Sequence, residues 1–151
     1  MKQCAAAVMA VALMGAACDD SPTAPDNNTV VFTANMTASS EVPPVSGAEA
    51  AATGTATITF RLTRSTAGAI TAATATFSAN VAGMPAGTSL IRAHIHTGGA
   101  GVAGGVLVDT GLTPAAAIAI VNGTGTLTFN SVTVDPTAAE NIISNPAGFY
   151  F

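Results

Sequence analysis

The chain holds two histidines, and they stand two residues apart in the stretch 90–96, Leu-Ile-Arg-Ala-His-Ile-His. Side chains alternate faces along a strand. That period puts Ile91, Ala93 and Ile95 on a core-facing side, and Arg92, His94 and His96 together on the other. Two neutral imidazoles at this spacing present nitrogen donors to one side, a chemistry suited to Zn or Cu. A structural zinc takes four ligands, so the remainder would come from Asp109, Glu41 or a partner. A second reading competes with this and is preferred: the histidines bond backbone at the start of the glycine-rich stretch 97–105 and fix its course. Glu41 has the same ambiguity, since beside Pro43 and Pro44 it would cap a turn or pair with Arg92 at the surface, where such a pair is worth about 0–1 kcal/mol.

Other chemistries find no support. The glycines of 98–105 are followed by neither a Gly-Lys-Ser/Thr nor a helix start, so they do not form a phosphate loop and read as a flexible loop. No serine lies in a nucleophile elbow, and neither Cys4 nor Cys18 falls within the predicted domain. Four basic residues face eight acidic ones, with no basic cluster able to neutralise phosphates, which argues against nucleic acid.

The elements that must position the histidine stretch are short alternating runs. From Val30, the residues Phe32, Ala34 and Met36 alternate with Thr33, Asn35 and Thr37, until Glu41-Val42-Pro43-Pro44 breaks the pattern. In 53–63, Gly54, Ala56, Ile58, Phe60 and Leu62 form the inward set. Ala73, Ala75, Phe77, Ala79 and Val81 do so in the next run, and Gly125, Leu127 and Phe129 after the Asn122-Gly123 turn. Thr137 and Glu140 have capping-box spacing, so one short helix is expected over 138–144. Phe149-Tyr150-Phe151 reads as the start of a strand, and three aromatics at the end of the sequence suggest a chain cut short. Strands of this length with turns between them predict an all-β antiparallel sandwich, Greek-key, immunoglobulin-like or superoxide-dismutase-like, with one short helix near the C-terminus.

The N-terminal residues read as processing signals. Lys2, the apolar run 5–14 and Gly15-Ala16-Ala17 make residues 1–17 an export signal, too short for a permanent membrane span. Cys18 follows as in a bacterial lipobox, although Gly15 stands where that pattern prefers Leu. Lipidation of Cys18 would anchor the mature chain to a membrane, and residues 18–29, rich in Pro, Asp and Asn, would serve as a flexible tether. With Cys4 removed, no internal disulfide is possible, so the domain at 30–151 must be held by its core. Charged residues make up 8% of the chain, and Thr, Ser and Asn supply the polar surface, as suits an extracytoplasmic β-protein.

The ordered set Phe32-Thr33-Ala34, Glu41-Val42-Pro43-Pro44, Gly54-Thr55-Ala56-Thr57, Ala93-His94-Ile95-His96, Val106-Leu107-Val108-Asp109 and Asn145-Pro146-Ala147-Gly148-Phe149-Tyr150 resembles the CHRD domain. This is the module named for its repeats in chordin and found alone in many bacterial secreted proteins. The resemblance spans about 30–151. It implies an extracellular module of a family with no established catalytic activity. Family members continue with Asn-Val-His-Thr and a further strand, so the third histidine of the family has no counterpart in this sequence. The expected function is a non-enzymatic, extracytoplasmic binding module at the periplasm or cell surface. Its partners would be a membrane, through lipidated Cys18, and an unidentified protein or polymer ligand. The alternative is a Zn- or Cu-binding sandwich, with redox activity a remoter option, built on His94 and His96 with Glu41 or Asp109.

Overall fold

The computed structural model describes residues 26–99 and 101–151. The expected export signal, Cys18 and most of the tether lie outside the described residues. In chain order the strands are β1 (Thr29–Thr37), β2 (Thr53–Arg64), β3 (Ile70–Ala82), β4 (Ser89–Leu90), β5 (His94–Thr97), β6 (Val106–Asp109), β7 (Ile118–Ala119), β8 (Gly125–Val134) and β9 (Phe149–Tyr150), with helix α1 (Pro136–Ser144) between the last two.

Four long strands form one sheet in the order β1-β2-β3-β8, antiparallel throughout. The first three run as a meander, and β8 returns to the sheet after an excursion through the second layer. That layer contains the three-stranded sheet β6-β5-β9, with the small pair β4-β7 beside it. The fold is an all-β sandwich with a single short α-helix, as the alternating pattern predicts.

The cause is visible in β2 and β3. Ala56, Ile58, Phe60 and Leu62 are buried on one face, while Thr55, Thr57, Arg61 and Thr63 are exposed on the other. Directly across the ladder, Ile58 faces Phe77 and Thr57 faces Ser78. A slip of one residue would send the entire apolar set into water, so the register is tightly specified. Phe60 and Phe77 are fully buried. Phe32 packs edge-on against Phe60 with ring centres 5.9 Å apart, and Phe151 stacks on Phe77 at 5.5 Å. Ile95 and Val108 from the second layer, with Ala138, Ala139 and Ile142 from α1, complete the same core.

β1 starts at Thr29, inside the stretch expected to be tether. Asp26 ties down its approach: one carboxylate oxygen accepts from the Asn28 N–H at 3.0 Å, the other from the Thr29 hydroxyl at 2.6 Å. These two bonds, helped by Arg61, hold its carboxyl below the usual aspartate range. In β8, Gly125, Leu127 and Phe129 point inward as expected. The phase then changes: two residues, Asn130 and Ser131, oppose the single Thr76, and Ser131 adopts a positive φ of 55°. This bulge lets Val132 and Val134 turn back toward the core. At the Asn122-Gly123 turn both residues have positive φ, 53° and 77°, as a tight hairpin connection requires.

The helix start differs from the capping box expected at Thr137. Asp135 is the N-cap, its Oδ1 accepting from the N–H groups of Thr137 (2.9 Å) and Ala138 (3.1 Å). Pro136 occupies the first helical position, where its missing N–H costs nothing. A Thr at the second helical position can no longer cap, so the Thr-x-x-Glu spacing is incidental.

The larger correction concerns residues 90–96. They are not one strand. Ser89 and Leu90 pair with β7, residues 91–93 belong to no ladder, and His94 begins β5, which pairs with β6 and β9. The chain crosses between sheets at this point, and Ile91, expected in the core, is 47% exposed. Ala93 is half-buried and Ile95 is 3% exposed.

Truncating Phe77 to Ala should therefore cost about 3–5 kcal/mol, whereas Thr57→Ala on the open face of the same sheet should change stability by no more than about 0.5 kcal/mol. Urea denaturation of both variants checks this contrast.

Candidate functional site

β5 contributes three consecutive side chains with different fates. Ile95 enters the core, while His94 and His96 share the opposite face, their ring centres 5.5 Å apart and their planes at 73°. The period-2 reading of the histidines therefore survives the loss of the longer strand.

His96 has one nitrogen in a hydrogen bond, and His94 has one at ion-pair distance from a carboxylate. His96 Nδ1 lies 3.1 Å from the Gly104 carbonyl, the loop-fixing contact anticipated from the sequence. Because a carbonyl only accepts, Nδ1 carries the proton in this bond and Nε2 keeps its lone pair when the ring is neutral. His94 Nε2 lies 3.5 Å from Asp109 Oδ1, at ion-pair distance, and the two residues are directly paired across β5 and β6. The same Asp109 oxygen accepts the Gly111 N–H at 2.8 Å, which fixes the carboxylate. The His94 side chain is 12% exposed and that of Asp109 is 57% exposed, so the pair spans the boundary between protein and solvent.

The glycine-rich stretch is anchored rather than loose. Thr97 N–H donates to Gly105 O at 3.0 Å, and Gly98 N–H donates to Gly148 O at 2.8 Å. At Gly104 the loop backbone lies directly on β5, where a Cβ would overlap the Thr97 carbonyl oxygen. Only glycine permits that approach. Close by, Thr110 is the buried polar residue that secures the chain entering β5: its hydroxyl and its N–H both donate to Ala93 O, at 2.8 and 3.2 Å.

Tyr150 is the site residue that sequence reasoning missed. It faces His96 across the β5–β9 ladder and stacks on its ring, with centres 5.0 Å apart and planes within 8°. Its hydroxyl accepts the Gly104 N–H at 3.5 Å. The signal was available in Phe149-Tyr150-Phe151, where the one tyrosine of the chain sits between two apolar aromatics at the period of a strand. What the sequence lacked was the partner strand.

Glu41, Arg92, His94, His96, Tyr150 and Phe151 help line a cavity of about 350 Å³. A second, of about 320 Å³, adjoins it along Met36, Glu41 and Tyr150 and extends over Phe32, Phe60 and Ile95. Glu41 is exposed and follows the short 3-10 turn at Ala38–Ser40. As a metal set, the expected group of four does not assemble. Among the described residues no three of His, Cys, Asp and Glu converge to hold an ion. Asp109 lies at ion-pair distance from His94 Nε2, and Glu41 shares the cavity wall without completing a metal-holding group.

The sequence model of one protein family, the CHRD domain, matches residues 32–151. The chain belongs to the CHRD family. The match runs from Phe32 within β1 through β9, and so takes in every residue of the site just described. No curated protein and no solved structure matches the chain.

The glycine contact makes a sharp test of this CHRD domain. Gly104→Ala should destabilise it by at least about 1–3 kcal/mol, the range for forced overpacking. Gly105→Ala, where a Cβ meets nothing within 4 Å, should stay within about 0.5 kcal/mol. Thermal melts of the pair check the order.

Proposed function

We propose that this CHRD domain is a non-enzymatic binding module of the extracytoplasmic space, held at a membrane through lipidated Cys18 and presenting the cavity beside β5 to a protein or polymer ligand. The observation that carries the reading is the cavity itself. Its size is within the range of ordinary ligand sites, its walls are largely apolar, and a few fixed polar groups converge on it. Arg92, exposed where the chain crosses between sheets, supplies a guanidinium with five donors. The stacked His96 and Tyr150 supply a rigid aromatic surface. Rigid aromatics with an arginine nearby are the composition of binding hot spots.

The export signal and the tether support the location. Residues 1–17 have the charge, length and small-residue junction of a signal, and Cys18 stands at the cleavage point. A lipid at Cys18 would need either a second acyl chain or a basic patch for stable attachment, since one chain gives only marginal membrane binding.

A photo-crosslinking residue placed at position 92 should give an adduct in intact cells, and one at position 57 on the open threonine face should not. Adducts of equal yield from both positions, or from 57 alone, would contradict the assigned surface. Turnover of any substrate that disappears in His94→Ala would contradict the non-enzymatic reading. For the anchor, Cys18→Ser should move the protein from the membrane pellet to the soluble extracytoplasmic fraction. A variant that stays in the pellet would remove the lipid from the account.

A further inference from the structure

We infer that His94 and His96 form a two-nitrogen site for a single late first-row transition ion, Cu(II) before any other, with its remaining positions open to water. The inference is independent of the macromolecular ligand above: the ion site can hold or fail whatever the cavity binds.

Three observations carry it. First, the two rings are at the right separation. Imidazoles sharing one ion, each with a metal–nitrogen bond of about 2.0–2.1 Å, place their ring centres roughly 5–6 Å apart. The centres of His94 and His96 are 5.5 Å apart on one face of one strand.

Second, each ring is oriented from behind. A metal-ligating histidine characteristically gives its other N–H to a carboxylate or a backbone carbonyl, which fixes tautomer and direction and raises donor strength. Both kinds of acceptor are present. Gly104 O takes the Nδ1 proton of His96 and leaves Nε2 for the ion. Asp109 Oδ1, itself anchored by the Gly111 N–H, faces Nε2 of His94 and leaves Nδ1 for the ion. Stacking on Tyr150 further restricts the His96 ring.

Third, the donor count selects the metal. A structural zinc needs four protein ligands and a catalytic one three, and no such group converges among the described residues. Cu(II) stands at the top of the divalent affinity order and accepts tetragonal sites of nitrogen and oxygen, in which water fills the remaining positions. Binding in this form requires only two lone pairs already in place and involves no change of oxidation state.

The chain offers its own reporter. It has no tryptophan, and its single tyrosine is the one stacked on His96. Titrating the purified chain with Cu(II) should quench Tyr150 emission with a stoichiometry of one ion per chain, and electron paramagnetic resonance of the complex should show coupling to two equivalent-type imidazole nitrogens. The His94→Ala/His96→Ala double variant should lose this binding, each single variant should weaken it at least tenfold, and Asp109→Asn should weaken it about tenfold by removing the carboxylate charge beside His94. Zn(II) should compete only in large excess. Circular dichroism of the variants establishes that they are folded, and the resonance spectrum of the unsubstituted protein reads the nitrogen count without any variant. Coupling to fewer than two imidazole nitrogens, or equal Cu(II) affinity in the double variant, would overturn the site.

Discussion

The burial of Ile95 determines the rest of the site. A strand has two faces, so a residue driven into the core at one position forces its two neighbours to the other side. Ile95 lies in the cluster that contains Phe60, Phe77 and Ile142, and removing such a side chain from water contributes about 1.5–3 kcal/mol. His94 and His96 are therefore held together by hydrophobic packing beneath them, before any polar contact is made. The Gly104 carbonyl, Asp109 and Tyr150 then act on two rings that the backbone has already placed on one face. Exchanging the inward and outward sets would bury two imidazoles and expose Ile95, so the alternative register is strongly disfavoured.

The polar contacts act on this platform in a definite order. Gly104 brings its loop onto β5 because it has no side chain to obstruct the approach. That proximity places one carbonyl over His96 and one N–H near the Tyr150 hydroxyl. Thr110 secures the chain entering β5, and Asp109, one residue earlier, faces His94 from the neighbouring strand. These groups come from the glycine loop, the end of β6 and β9, so the site depends on the three-stranded sheet rather than on β5 alone. Membership of the CHRD family is consistent with this, since the match over 32–151 includes every one of these segments.

The long strands were legible in the sequence because each has one buried face over many residues. Ala56 to Leu62 and Ala73 to Val81 repeat every second position, and no other element satisfies that pattern. The stretch 90–96 has the same alternation but serves two sheets, and Ile91 lies at the crossing, where period alone gives no warning. The Thr137–Glu140 spacing imitates a capping box, but Pro136 opens the helix and so moves the cap back to Asp135. The His94–His96 face and the link from His96 to the glycine loop followed from local pattern. Tyr150 and the pairing of His94 with Asp109 depend on which strands become neighbours, which no local window encodes. Glu41 and Asp109 were reasonable ligand candidates by residue type, but the first ends a turn and the second supports a histidine.

The most direct measurement is nitrogen-15 NMR of the two imidazoles in the metal-free protein, at a pH where both are neutral. The account requires His96 in the tautomer protonated at Nδ1 and His94 in the tautomer protonated at Nε2, with cross-relaxation between the rings of His96 and Tyr150. A His96 ring protonated at Nε2, or one with no proximity to Tyr150, would contradict it.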